Sequence, residues 1–180
     1  MTYLTFDDAA QWESWLAEHH EEAGEAWLLI AKKGSGRTSP TSAQTLEVAL
    51  CYGWIDSHRM GHDASYFLQR YSPRRSGSPW SRINVDRAEV LIAEGRMRAP
   101  GHAEIEAAKA DGRWDAAYAS QATATVPEDL AIALAAEPAA AAAFGALDRT
   151  GRYAVILPLL KARTRERRAV LVARAIEALS

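Results

Sequence analysis

Apolar positions along the chain fall into two regimes. Residues 9–16 place Ala9, Trp12 and Leu16 at helical spacing with Trp15 flanking them, and Asp7 or Asp8 stands ready as N-cap. This predicts a helix that runs to about Gly24. Residues 3–6, aromatic and β-branched, predict a short edge strand ahead of it. Residues 25–33 are too short and too apolar for a surface helix, so they predict a largely buried strand with a basic end at Lys32 and Lys33. After a loop of glycine and hydroxyl residues, Thr41-Ser42-Ala43-Gln44 reads as a capping box, and Leu46, Ala49, Leu50 and Gly53 line one face of the helix it opens. The period then shortens. Residues 54–60 and 65–71 predict two strands, and the four residues between them are few enough for a hairpin. With the strand at 25–33 they are expected to form one small sheet.

From Asn84 on, the period is helical. Asn84 is the expected cap of a helix with Ala88, Leu91 and Ile92 inward and Gly95 at its end. A second helix covers residues 102–111, with Trp114 and Tyr118 anchoring the turn that follows. The Ser, Ala, Gln and Thr residues of 120–125 resemble a linker and give the expected division: an α+β domain over residues 1–119 and a helical module over 120–180. In that module Pro127 and Pro138 open helices, the first with Leu130 and Leu134 on one face and the second with Phe144 and Leu147. Tyr153, Ile156, Leu157 and Leu160 mark a third helix, and Pro158 within it predicts a kink or a late start. Thr164 caps the last helix, whose inner face is Val172, Ala175, Ile176 and Leu179. The fold class expected is thus α+β: a small antiparallel sheet packed with helices, followed by a helical C-terminal module.

Composition changes this picture little. At 180 residues, 48% apolar and 24% charged, the chain suits an ordinary globular protein with one sizeable core. A formal net charge of -2 makes no global case for nucleic acid or an anionic membrane. The N-terminal residues lack the basic start and apolar run of a signal peptide, and no window reaches the length of a spanning helix, so the expected location is the cytoplasm. Cys51 is the only cysteine, which excludes an internal disulfide, and its apolar neighbours predict a buried thiol. Charge is unevenly spread. Seven acidic residues from Asp7 to Glu25 have no Lys or Arg among them, whereas Lys161, Arg163, Arg165, Arg167, Arg168 and Arg174 crowd the last helix and the residues before it.

Several chemistries are tested by spacing. His58 and His62 are four apart, but on a strand and turn that spacing does not present two ligands on one face, so no metal site is expected. Asp56, Ser57 and His58 have the residue types of a hydrolase triad, yet neighbours on a strand point to opposite faces. Lys32-Lys33 precedes the glycines of residues 34–36, the reverse of a phosphate-binding loop, and there is no dinucleotide fingerprint, so no cofactor is expected. Anion recognition is better supported. Arg70, Arg74, Arg75, Arg82 and Arg87 lie in sequence around Tyr66, Tyr71 and Trp80, with loop serines among them. The competing account pairs Arg74 and Arg75 with the acidic N-terminal helix.

The segments from Ala49 to Ser57, Pro73-Arg74-Arg75, Ser78-x-Trp80-Ser81-x-x-Asn84 and Gly95-x-Met97 together resemble the bacterial YdeI/OmpD-associated family. Val126-Pro127-x-Asp129-Leu130, Phe144, Tyr153, Lys161 and Thr164-Arg165-x-x-Arg168 are similar to its bacteriocin-protection module. The resemblance runs from about Trp12 to the end of the chain, with departures at Pro158 and Arg163. It implies protection against bacteriocins and antimicrobial peptides and association with a porin, and no reaction or cofactor. The function expected is a non-enzymatic binding or stress-protection protein that recognises an anionic or peptide ligand through Lys32, Asp56, Tyr66, Arg74, Arg75, Trp80 and Asn84. A protein partner is expected at Lys161, Arg165 and Arg168. The alternatives are an enzyme with an acid–base site near Lys32, Asp56 and Tyr66, or a nucleic-acid-binding protein, for which no recognised module is present.

Overall fold

A computed structural model describes residues 2–180. The chain divides into two compact units, one taking in the residues up to Trp80 together with Asn84–Ala116, the other Ser81–Ile83 with Ala117–Ser180. The first is a three-stranded antiparallel sheet with helices, the second entirely helical.

In the first unit α1 (Ala9–His19) starts where Asp8 accepts a hydrogen bond from the Gln11 amide at 2.9 Å. It ends at His19, one turn short of Gly24. The expected edge strand at residues 3–6 reduces to a single parallel bridge between Leu4 and Leu28. Strand β1 (Ala26–Ala31) follows, then α2 (Ser42–Cys51), where both halves of the Thr41/Gln44 capping box form. Strands β2 (Trp54–Gly61) and β3 (Tyr66–Pro73) make the hairpin, and β3 is central in the order β1-β3-β2. Ala26, Leu28 and Ile30 pair with Tyr71, Gln69 and Phe67 on one face, to which Trp54 and Asp56 also belong. There the Trp12 ring meets those of Trp54 and Tyr71, and its Nε1 donates to the Thr45 carbonyl at 3.1 Å. Burying three such rings supplies much of the driving force for this unit, since each is nearly the whole of a large apolar surface taken from water.

Helix α3 (Arg82–Ala93) begins two residues before Asn84, so Asn84 lies in its first turn and is not its cap. Its inner face is Val85, Ala88 and Leu91, while Ile92 is exposed. Gly95, at φ 69°, closes it: the Gly95 and Arg96 amides return to the carbonyls of Ile92 and Leu91, the pairing that satisfies the last helical oxygens. Helix α4 (Ala99–Ala110) starts earlier than expected, with Pro100 in its first turn.

The second unit holds α5 (Glu128–Ala136), α6 (Pro138–Ala146), α7 (Arg149–Leu160) and α8 (Arg165–Leu179) around Leu130, Leu134, Ala140, Phe144, Ile156 and Leu159. Helix α7 starts on time, with Asp148 accepting from the Gly151 amide at 2.7 Å, and Pro158 is simply carried in its last turn. Its buried positions are Ile156 and Leu159; Tyr153 instead donates to the Ala119 carbonyl at 3.0 Å. Thr164 caps α8 by accepting from the Arg167 amide. No described helix is long and apolar enough to cross a membrane.

Candidate functional site

The loop after β3 turns sharply at Gly77, φ 73°, and carries Trp80 into the interior of the first unit. Trp80 is 2% exposed, edge-on to Trp114 at 5.0 Å, and its Nε1 is buried with no hydrogen-bond partner among the described residues. The Arg74 guanidinium lies over its ring, Cζ 3.7 Å from the centroid, and donates from Nη1 to Ser78 Oγ and the Pro79 carbonyl, at 3.4 and 3.5 Å. The Arg74 amide donates to the Gly53 carbonyl, tying the loop to the start of β2. Arg113 pins the far side through Ser78 O at 2.8 Å and Asp111. The loop is therefore ordered around an aromatic–guanidinium stack. Arg75 is next to it, exposed, and its guanidinium makes no ion pair among the described residues.

Asp56 lies on the sheet face that carries Tyr71. Burial pushes its carboxyl up from the usual range, against a hydrogen bond from its own backbone and against the positive charges of Arg59, Arg87 and Arg74. No Lys or Arg nitrogen comes within 4.0 Å of that carboxylate among the described residues. Arg59 instead donates to Gln69 Oε1 at 2.9 Å and lies over the Phe67 ring, and Arg87 donates to Asn84 Oδ1 at 3.4 Å. The arrangement is one half-buried carboxyl with three guanidiniums near it and none on it. Guanidiniums suit a carboxylate or phosphate, and the Asp56 carboxylate an amide or ammonium.

Lys32 and Tyr66 are placed elsewhere. Tyr66 pairs with Ala31, and Lys32 donates to the Asp63 carbonyl at 2.7 Å, beside the hairpin turn. Tyr66 and Tyr71 are five residues apart on β3, about 17 Å along the strand, and their side chains point to opposite faces. Asp56, across from Tyr71, thus shares neither end nor face with Tyr66. Arg70 also leaves the cluster: it faces Trp27, donates to Glu25 at 2.7 Å and to Ser57 Oγ at 3.1 Å. Glu13 is held by Arg98 at 2.6 Å. The counter-charges found on the acidic N-terminal stretch are thus Arg98 and Arg70. Arg59 was not singled out from the sequence; only its place across from Gln69 could have shown it.

The histidines go separate ways. His58 meets the Trp27 ring edge-on and His62 that of Tyr3. Among the described residues no three His, Cys, Asp or Glu side chains gather as a metal site would need. Cys51 is buried, and burial pushes its thiol up to about 11. In the second unit Arg168 is committed to Asp129 and to the Leu159 carbonyl, Lys161 stands 5.0 Å from the centre of the Tyr118 ring, and Arg165 is exposed.

Residues 4–104 match the model of a domain of unknown function (DUF8412). Residues 123–180 match that of a family described as bacteriocin-protection, YdeI or OmpD-associated, which places the resemblance expected over nearly the whole chain on its C-terminal part. No curated protein and no solved structure is a match.

Proposed function

We propose that this chain, which belongs to the family defined by that N-terminal domain of unknown function and carries a bacteriocin-protection, YdeI or OmpD-associated domain at its C-terminus, is a non-enzymatic binding protein. Its ligand is anionic or a peptide, taken at the surface of Asp56, Arg75 and Asn84 over the buried stack of Arg74 on Trp80. The observation that carries this reading is the uncompensated charge beside an ordered stack: Arg75 is exposed without an ion pair among the described residues, next to an Arg74 already held over Trp80. A guanidinium fixed in advance loses less freedom when it binds, so recognition costs less there than on a mobile arginine. A protective role against bacteriocins or antimicrobial peptides is proposed on the description of the C-terminal family alone. Lys32 and Tyr66 are left out of the proposed surface, because Tyr66 pairs with Ala31 at the hairpin end and Lys32 donates to the Asp63 carbonyl there.

The test uses the indole N–H resonance of Trp80, assigned from a Trp80→Phe variant, in titrations with inorganic phosphate and with an oligoglutamate peptide. Binding should move that resonance, and Arg75→Glu should weaken the effect at least tenfold while leaving the thermal transition in place. A resonance unmoved by either probe, or a response equal in Arg75→Glu, would overturn the reading.

A further inference from the structure

The second unit leaves a groove that its own core does not fill. An open cavity of about 850 Å³ runs along α5 and α8, floored by Ala136, Ala169, Val172, Ala173 and Ile176. No residue of α8 is fully buried. Val172 and Ile176 touch the core on one side and the groove on the other. Apolar surface continues outside it, with Ile132 on α5 at 65% exposure and Val170 on α8 at 45%. A helix with this much open apolar face is short of a partner.

The charges on α8 say what kind. Arg165 and Glu177 both line the groove, twelve residues apart, and so are separated by about 18 Å along the helix. Neither is in an ion pair among the described residues. A groove basic at one end and acidic at the other repels half of any partner of uniform charge. It is complementary to itself when two copies of α8 run antiparallel, because a twofold axis brings each residue onto its counterpart's position. With the axis midway between Arg165 and Glu177, Arg165 of each copy meets Glu177 of the other, Ala169 faces Ala173, and Val170 faces Val172. Alanines at the crossing allow the helices the close approach that packing needs. A parallel arrangement would set like charges together.

We infer that this groove is a self-association face, occupied by α8 of a second copy in antiparallel orientation. Two helices of about 22 Å side by side bury less than the roughly 800 Å² per partner of a standard interface. The dimer is therefore at the weak, transient end of such interfaces, and salt weakens it through the exposed end pairs.

Sedimentation equilibrium of the full chain, from about 1 to about 500 µM, tests this. Arg165→Glu and Glu177→Arg should each weaken the dimer about tenfold, and the double exchange should restore it. Ala173→Asp, at an exposed position that leaves the core untouched, should give a monomer of unchanged circular dichroism. A monomer across the whole range, single exchanges without effect, or a double exchange no tighter than the singles would overturn the inference. So would a wild-type monomer that takes up an unrelated amphipathic peptide in the groove.

Discussion

Gly101 offers a test in which a favourable local term and an unfavourable packing term have opposite signs. It lies inside α4, where alanine is preferred over glycine by about 1 kcal/mol. A Cβ there would press on the Cys51 carbonyl oxygen and the Met97 sulfur, and would lie 2.7 Å from the carbonyl oxygen of Leu50. Two of these three are backbone atoms at the end of α2, so no rotamer change relieves them. Helix α4 must retreat by several tenths of an ångström or more, and the packing of Cys51, Met97 and Ile105 loosens with it. Overpacking of this kind costs about 1–3 kcal/mol or somewhat more. With the propensity gain subtracted, Gly101→Ala is therefore expected to lose about 1–2 kcal/mol net, roughly 2–8 °C in a protein of this size. The matched control is Gly145→Ala in α6, where the added methyl meets nothing within 4 Å. There only the propensity remains, for a gain of up to about 1 kcal/mol. Urea denaturation followed by far-UV circular dichroism reads both. Equal shifts in the two variants, or a stabilised Gly101→Ala, would refute the close approach of α4 to the end of α2.

Tyr71→Phe removes a buried hydroxyl bonded to Thr45 Oγ1 at 2.7 Å and should cost about 1–2 kcal/mol in urea denaturation; in the Thr45→Val background the same change should cost markedly less. The thiol of Cys51 gives a pH signature. Burial raises it from 9.0 to about 11, so between these values the unfolded chain has released a proton that the folded chain retains. Stability from this group is full below about pH 9 and is lost as pH rises through about 11, by roughly 2–3 kcal/mol in all. Cys51→Ala should flatten the fall between about pH 9 and 11, and parallel losses in the two proteins would refute the assignment.

Local chemistry made much of the fold legible. A capping box, an Asp or a Thr before a helix acts within four residues, so Asp8, Thr41 and Thr164 were readable without knowing the rest of the chain. Asn84 shows the limit of that logic, because the helix begins two residues ahead of it. Pro158 shows another. Its missing amide forfeits one bond in the last turn of a helix whose Ile156 and Leu159 are already packed, and tertiary burial outweighs that loss. Trp80 was legible as the anchor of its loop because a buried indole amid prolines and serines has little else to do. The division of the polar residues into separate groups was not legible, since it depends on strand register.

That register turns on one extra residue. Near the hairpin turn Gly61, Met60 and Arg59 pair with Phe67, Leu68 and Gln69; beyond it Asp56, Ile55 and Trp54 pair with Tyr71, Ser72 and Pro73. Ser57 and His58 together stand opposite Arg70, which is a β-bulge. Continued without it, the first register would set Asp56 against Ser72, on the face of Arg70 and Trp27. The added residue reverses the alternation. It turns Trp54 into the core, where it is 1% exposed, and brings Asp56 to the side of Arg59, Arg74 and Arg87. Strand β3 holds the bulge from its centre: Gln69 Nε2 donates to the freed His58 carbonyl at 3.1 Å, and Arg70 donates to Ser57 Oγ at 3.1 Å. The buried Gln69 thus has a definite task, since without it the bulged carbonyl would lose a partner. The one irregularity of the hairpin therefore decides which polar residues can act together. It sets Asp56 beside Tyr71, away from both the face and the end of the strand that Tyr66 occupies.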